Sequence, residues 1–337
     1  MQTVNALDCS AESSPPPAQS LTGKAWLKDD VSQSDWLFKI DDEILQELDQ
    51  LAKSLQPDTE LQKLTPARFQ LPKSSQLFKN IRHTLDKGIG FAVADRLPVN
   101  KYDPEILVQI FYILGTKVGR PVAQKHNGEM IYNVRDTGRK FQYGVRGSWT
   151  NVELNFHTDN AFGNAPPDYV GLYCKHPAKS GGVSRFCSLY SLHDKLQQIN
   201  PDALRRLYEP MYFDRQKEHG HEAPPVTWAP FFSWKSDRLN ARANTSLVRK
   251  GYQVAGVAMD KRLDDALRCM DEVSAAPQFW YEAELEQGQI QYLNNREVGH
   301  YRSEFSDHEE EHKKRHLYRL WHRESGTANY HLSLIHI

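Results

Sequence analysis

Between residues 130 and 322 the sequence is cut into short apolar stretches by Gly, Pro and Asn, and this texture limits the fold more than any other feature of the chain. The stretches are MIYNV (130–134), NVELNFHTD (151–159), YVGLYC (169–174), VSRFCSL (183–189), VTWAPFF (226–232), FWYEAEL (279–285), QIQYLNN (289–295) and HLYRLWH (316–322). Many short strands with turn signals between them predict a sandwich or double-sheet jelly roll. Helical stretches near 190–208 and 261–274 interrupt the series, and the part at 202–208 starts behind Pro201 and carries Leu204 and Leu207.

Upstream the pattern is more helical. Ile44, Leu45, Leu48 and Leu51 recur at helical spacing behind an acidic start, which predicts a helix from Asp42 to about Leu55. GIGFAVA (88–94) reads as a buried strand. Pro104 then opens an apolar helix to about Val118, with Ile106, Leu107, Ile110, Phe111 and Leu114 as its core face. Residues 1–24, with Pro15, Pro16 and Pro17 in a row, are expected to form a flexible tail, because their composition buries too little apolar surface to order itself. The expected organisation is therefore one domain over 25–330, its helical part at about 25–120 and its jelly-roll core at about 121–323. The final HLSLIHI (331–337) is expected to fray.

Composition narrows the partners. Lys plus Arg number 42 against 43 Asp plus Glu, a net charge of −1, so nothing calls for nucleic acid or an anionic membrane. No apolar run approaches the roughly 20 residues of a membrane span, and no secretory signal opens the chain. Cys9, Cys174, Cys187 and Cys269 are too scattered for a zinc knuckle or a disulfide framework. A cytoplasmic protein acting on a small molecule is the expectation; a homo-oligomer is compatible with the sequence but not readable from it.

The chemistry concentrates in ELNFHTDNAF (153–162). In an extended strand residues i and i+2 face the same way, so His157 and Asp159 point together and Thr158 turns to the other face. An imidazole and a carboxylate so placed grip one metal from one side, the facial arrangement that suits Fe(II) and O2. Alone, His-x-Asp arises by chance in many chains. The later stretch YLNNREVGHYRSEF (292–305) supplies His300 just past a predicted strand, and Arg315 follows 15 residues on. A guanidinium there matches the far carboxylate of a chelating keto-diacid, and Ser184, behind Gly181 and Gly182, offers it a hydroxyl.

Taken together, FHTD, the Gly-Gly-x-Ser at 181–184, NNREVGHYR and the Arg-x-x-x-Arg of Arg315 and Arg319 resemble the taurine dioxygenase family of Fe(II)/2-oxoglutarate enzymes, from about residue 88 to about 322. The resemblance implies a mixed α+β fold, a distorted double-stranded β-helix (jelly-roll) core with flanking helices. It implies His157, Asp159 and His300 as iron ligands, Arg315 with Ser184 as the clamp on the co-substrate 2-oxoglutarate, and O2 as oxidant. Arg319 would line the junction of co-substrate and prime substrate. Family members that transfer halogen have a small residue in place of the acidic ligand, so Asp159 favours hydroxylation.

His308-Glu309-Glu310-Glu311-His312 matches the zinc-protease pattern HExxH, but its neighbours are almost all charged, which predicts a solvated loop rather than a helix in a dry cleft. His219 and His221 in EHGHE (218–222) sit before Pro224 and Pro225 and read as a surface loop. Residues 134–148, with Arg135, Tyr143 and Arg146, read as a lid over the site. Trp228, Phe231, Phe232 and Trp234 read as core. The rival from another class is a non-catalytic jelly-roll module that binds a small ligand.

Overall fold

The computed structural model describes residues 4–17, 23–125, 127–140, 142 and 145–325. Its centre is a pair of packed sheets. The larger runs in the order Leu37–Lys39, Phe91–Asp95, Ile290–Asn294, Tyr169–His176, His316–Arg323 and Arg120–Val122, with Ile131–Val134 also paired to His316–Arg323. The smaller runs Trp280–Ala283, Ser184–Ser188, Val298–Arg302 and Leu154–His157. The strand texture predicts the two sheets, and the family resemblance implies the distorted jelly roll with flanking helices that they form.

Strand alternation decides which residues meet. On the large sheet Phe91, Val93, Val170, Leu293 and Trp321 face the small sheet and join one core with Phe186 and Val298. Phe91 and Phe186, from opposite sheets, stack at 4.3 Å with an 11° interplanar angle. The alternate residues Ala92, Ala94, Tyr169, Tyr173 and Tyr292 face outward and are covered by helices Asp42–Ser54, Pro72–Lys87 and Pro104–Gly115. The first helix starts where the Asp41 carboxylate accepts from Ile44 N at 2.9 Å, and the third where Asp103 caps ahead of Pro104. A third core lies in the insertion after Ser188, among helices Leu189–Ile199, Pro201–Tyr208, Thr245–Ala255 and Lys261–Ala275. There Phe231 and Phe232 are buried, as expected. Among the described residues no helix is long and apolar enough to cross a membrane.

The structure departs from the sequence reading in three places. Residues 4–17 do not behave as a tail. Ala6–Asp8 pairs in parallel with Val226–Trp228, and Glu12 binds Arg242 through both carboxylate oxygens at 2.7 and 2.9 Å. Composition missed this because the partners lie more than 200 residues away. Second, the part expected to be helical gives strands to the large sheet: beside Phe91–Asp95, which the reading of 88–94 as a buried strand anticipates, Leu37–Lys39 adds an unexpected parallel strand. Third, helices Pro72–Lys87 and Thr245–Ala255 were unanticipated. Phe78, Ile81 and Leu85 give the first a narrow apolar stripe on a polar background. Residues 331–337 lie outside the described residues.

Candidate active site

His157 ends the strand Leu154–His157, and His300 lies directly opposite it in the strand Val298–Arg302. His300 was expected just past a strand; it sits inside one of its own. The two rings are 4.2 Å apart, centroid to centroid. Asp159 is brought to them by a different device from the one its spacing suggests. The strand stops at His157, and Asp159 stands in the following turn. There Asn295, fully buried, accepts from Asp159 N at 2.7 Å and donates to its carbonyl at 3.0 Å. Asp159 Oδ1 then lies 3.7 Å from His157 Nε2 and 3.6 Å from His300 Nε2.

The donor set fits a metal ion. One ligand atom from each residue lies within 4.8 Å of the others, and among the described residues this is the only such group of three. His157 Nδ1 is 2.8 Å from the Asn155 carbonyl, which places its proton there and turns the Nε2 lone pair toward the group. Burial, reinforced by His300, lowers the His157 pKa to about 3, so the imidazole is neutral and able to ligate. For Asp159 burial alone would raise the pKa, but Arg319 and the two imidazoles more than offset it and hold the carboxyl ionised. Its second oxygen, Oδ2, is occupied: Trp321 Nε1 donates to it at 2.8 Å and Arg319 Nη1 lies at 3.0 Å.

Beside the triad, between the two sheets, a cavity of about 60 Å³ reaches Arg315 and is lined also by Ser184, Phe186 and Gln291. Arg315 is 5% exposed and its Nη1 has no hydrogen-bond partner. Burial pushes its pKa down to about 10. The Gly-Gly turn makes room for it: Gly181 and Gly182 both have positive φ, and a Cβ on Gly182 would meet Arg315 Nε at 3.1 Å. An enclosed guanidinium opposite three metal-ligand side chains fits a chelating dicarboxylate. Ser184 borders the same space. Arg319 lines this cavity and a larger one on the other side of the triad, while also holding Asp159 and Gln124 Oε1 (2.8 Å from Nε).

The larger cavity, of about 330 Å³, opens toward solvent and is walled by His157, Asp159, Phe156, Asn244 and Leu247. Across it Arg146 and Glu218 form an ion pair, with side chains 13% and 14% exposed. Burial raises the Glu218 pKa against the opposing pull of Arg146. Of the lid residues, Arg146 lines this cavity and Arg135 does not; Tyr143 lies outside the described residues. Within EHGHE the sequence pattern points to the histidines and not to Glu218; His221 is exposed and its Nδ1 lies 2.9 Å from Oε1 of its neighbour Glu222. Asn295 and Trp321 were also missed. Residues 308–312 form no α-helix, so the zinc-protease pattern has no scaffold.

Residues 51–321 match the model of the family described as taurine catabolism dioxygenase TauD, TfdA family. FR-33289 synthase of Streptomyces rubellomurinus (strain ATCC 31215) is 25% identical over 314 residues, covering 89% of this chain and 89% of that protein. The taurine hydroxylase-like protein SAT17 of Stachybotrys chartarum (strain CBS 109288 / IBT 7711) is 25% identical over 269 residues, 76% of this chain and 67% of its own length. Among solved structures, an asparagine oxygenase in complex with Fe(II), 2S,3S-3-hydroxyasparagine and succinate shares the fold with a TM-score of 0.65 at 16% identity, covering 85% of this chain and 93% of that one. The non-heme iron oxygenase OrfP in complex with Fe, succinate and (3S)-hydroxy-L-Arg gives 0.63 at 14% identity, covering 88% and 99%.

Proposed function

We propose, from the fact that this chain belongs to the taurine catabolism dioxygenase TauD, TfdA family, that it is a non-haem Fe(II) dioxygenase that uses 2-oxoglutarate and O2 to hydroxylate a C–H bond of a small, charged, amino-acid-like metabolite. One observation carries the reading: His157, Asp159 and His300 form a metal-ligand group, and the buried, unpaired guanidinium of Arg315 closes the far end of the cavity beside it.

In this reading His157, Asp159 and His300 hold the iron, and Arg315 with Ser184 takes the distal carboxylate of the co-substrate. O2, activated at bound Fe(II) by oxidative decarboxylation of 2-oxoglutarate, would supply the oxidising power, one oxygen atom going to succinate as CO2 is released and the other to the substrate. The chain's own residues do the rest. Arg319 and Trp321 occupy Oδ2 of Asp159, so that Oδ1 faces the metal position. Phe186, Leu172 and Leu317 keep the co-substrate cavity apolar and exclude water.

The prime substrate belongs in the 330 Å³ cavity, where Arg146 and Glu218 present one charge of each sign. That pairing supports a substrate with an anionic or amino-acid-like head group. The hydroxylated asparagine and arginine in the solved complexes of similar fold support it too. Asp159 fills the acidic ligand position, which supports hydroxylation over halogen transfer.

Anaerobic titration of the metal-free protein with Fe(II) and 2-oxoglutarate tests the reading without knowledge of the substrate. The expected result is a weak visible charge-transfer band that is absent in His157→Ala and needs at least tenfold more co-substrate in Arg315→Ala. A folded wild type that gives no band is instead a non-catalytic ligand-binding module.

A further inference from the structure

The cavity beside the triad holds a second buried arginine that the sequence reading did not single out. Arg302 lies two residues beyond His300 on the same strand, so the two side chains share the inner face of the small sheet. In the neighbouring strand its direct partner is Ser184, which borders the same cavity. Arg302 is 7% exposed, and its Nε has no hydrogen-bond partner. Its Nη2 is spent on the backbone that leads into the His157 strand: it donates to the carbonyls of Thr150, at 2.9 Å, and Val152.

Arg302 and Arg315 also flank one ring. Each guanidinium carbon lies 5.0 Å from the centroid of Phe305. Both line the same cavity, and among the described residues neither makes an ion pair. Asp136 and Asp307 act on them only from beyond ion-pair range. The one carboxylate that does line the cavity, Asp159, is committed to Arg319, Trp321 and the metal position. Two buried cations facing one cavity, with no anion of the protein between them, form an electrostatic deficit that an occupant must neutralise.

Resting on the function proposed above, we propose that Arg302 is a second binding residue for the co-substrate, sharing the distal carboxylate of the keto-diacid with Arg315. The cavity then selects dicarboxylate over monocarboxylate 2-oxo acids by two guanidinium contacts rather than one. A role confined to anchoring residues 150–152 would not depend on the far end of the ligand.

The test compares 2-oxoglutarate with 2-oxopentanoate, which has the same chain length and no distal carboxylate, by the visible band of the anaerobic Fe(II)-loaded full chain. Arg302→Gln is expected to raise the apparent Kd for 2-oxoglutarate at least tenfold and leave that for 2-oxopentanoate within twofold. Arg302→Lys should recover part of the loss. Equal weakening of both ligands, or of neither, assigns Arg302 to loop anchoring and overturns the proposal. A second variant guards against misfolding. In Arg315→Gln, Arg302 should preserve a measurable preference for 2-oxoglutarate, and loss of all preference there also overturns it. Absence of any band in wild type would instead sink the function proposed for the site.

Discussion

Trp321 Nε1 donates to Oδ2 of Asp159 at 2.8 Å, so a tryptophan on the large sheet sets the orientation of a carboxylate in a turn beside the small one. With Arg319 on the same oxygen, the carboxylate presents Oδ1 to His157 and His300. Such outer partners commonly carry about 10–100-fold in metal affinity. Trp321→Phe keeps most of the packing and deletes the donor. It is expected to weaken Fe(II) binding roughly tenfold, read by anaerobic metal titration, while the fold melts within a few degrees of wild type.

Asn295 is the main clamp on the Asp159 backbone. It makes three hydrogen bonds there, to Asp159 N, Asp159 O and Pro167 O, at 2.7, 3.0 and 3.1 Å. Asn295→Ala strands buried polar groups that each cost about 1–3 kcal/mol when unpaired. Urea unfolding should show a loss of at least about 3 kcal/mol. Asn295→Asp should do no better, because a carboxylate accepts from Asp159 N but cannot donate to the two carbonyls.

The Arg146–Glu218 pair makes a prediction with a definite sign. Burial raises the Glu218 pKa, and Arg146 opposes that rise. Arg146→Ala removes the opposition, so the folded-state pKa climbs further above the unfolded value. A group of this kind contributes its stability below the unfolded pKa and loses it as pH rises through the folded one. Arg146→Ala should therefore be more destabilised, relative to wild type, at pH 8 than at pH 5. Its Fe(II)/2-oxoglutarate band should be unchanged, since neither residue lines the co-substrate cavity.

His322 gives the opposite trend. It is fully buried, bonds the Gly119 carbonyl through Nδ1 at 3.2 Å and leaves Nε2 without a partner. Burial holds its pKa down at about 4. The unfolded chain takes up a proton there near pH 6.5 and the folded protein does not, so stability falls as pH drops from 6.5 toward 4. At pH 5 the loss from this one group is about 2 kcal/mol. His322→Gln should flatten the decline between pH 7 and pH 5 in urea titrations.

What the sequence settled, it settled through local rules. Strand-length apolar stretches at 169–174, 289–295 and 316–322 became three adjacent strands of the large sheet, because alternation and turn residues act within a few positions. Pro104 behind Asp103 set a helix start for the same reason. His157, Asp159, His300 and Arg315 were legible as a set because their residue types are chemically demanding and their order matches a known family. The polar stripe-bearing helix Pro72–Lys87 was not legible, since Phe78, Ile81 and Leu85 become a buried face only against the outer side of the large sheet.

The tertiary structure alone decided how those residues meet. Strand periodicity brought His157 and Asp159 to one side on paper, yet the strand ends at His157, and it is Asn295, 136 residues further along the chain, that fixes the aspartate. Glu218 became a cavity residue because a turn carried it to Arg146, and Arg302 because its strand pairs with the one bearing Ser184. The N-terminal segment is placed by Arg242, 230 residues beyond Glu12. Each of these depends on burial and on a partner distant in sequence. The ligand chemistry was therefore written in local motifs, and the orientation and charge state of the ligands were written only in the packed fold.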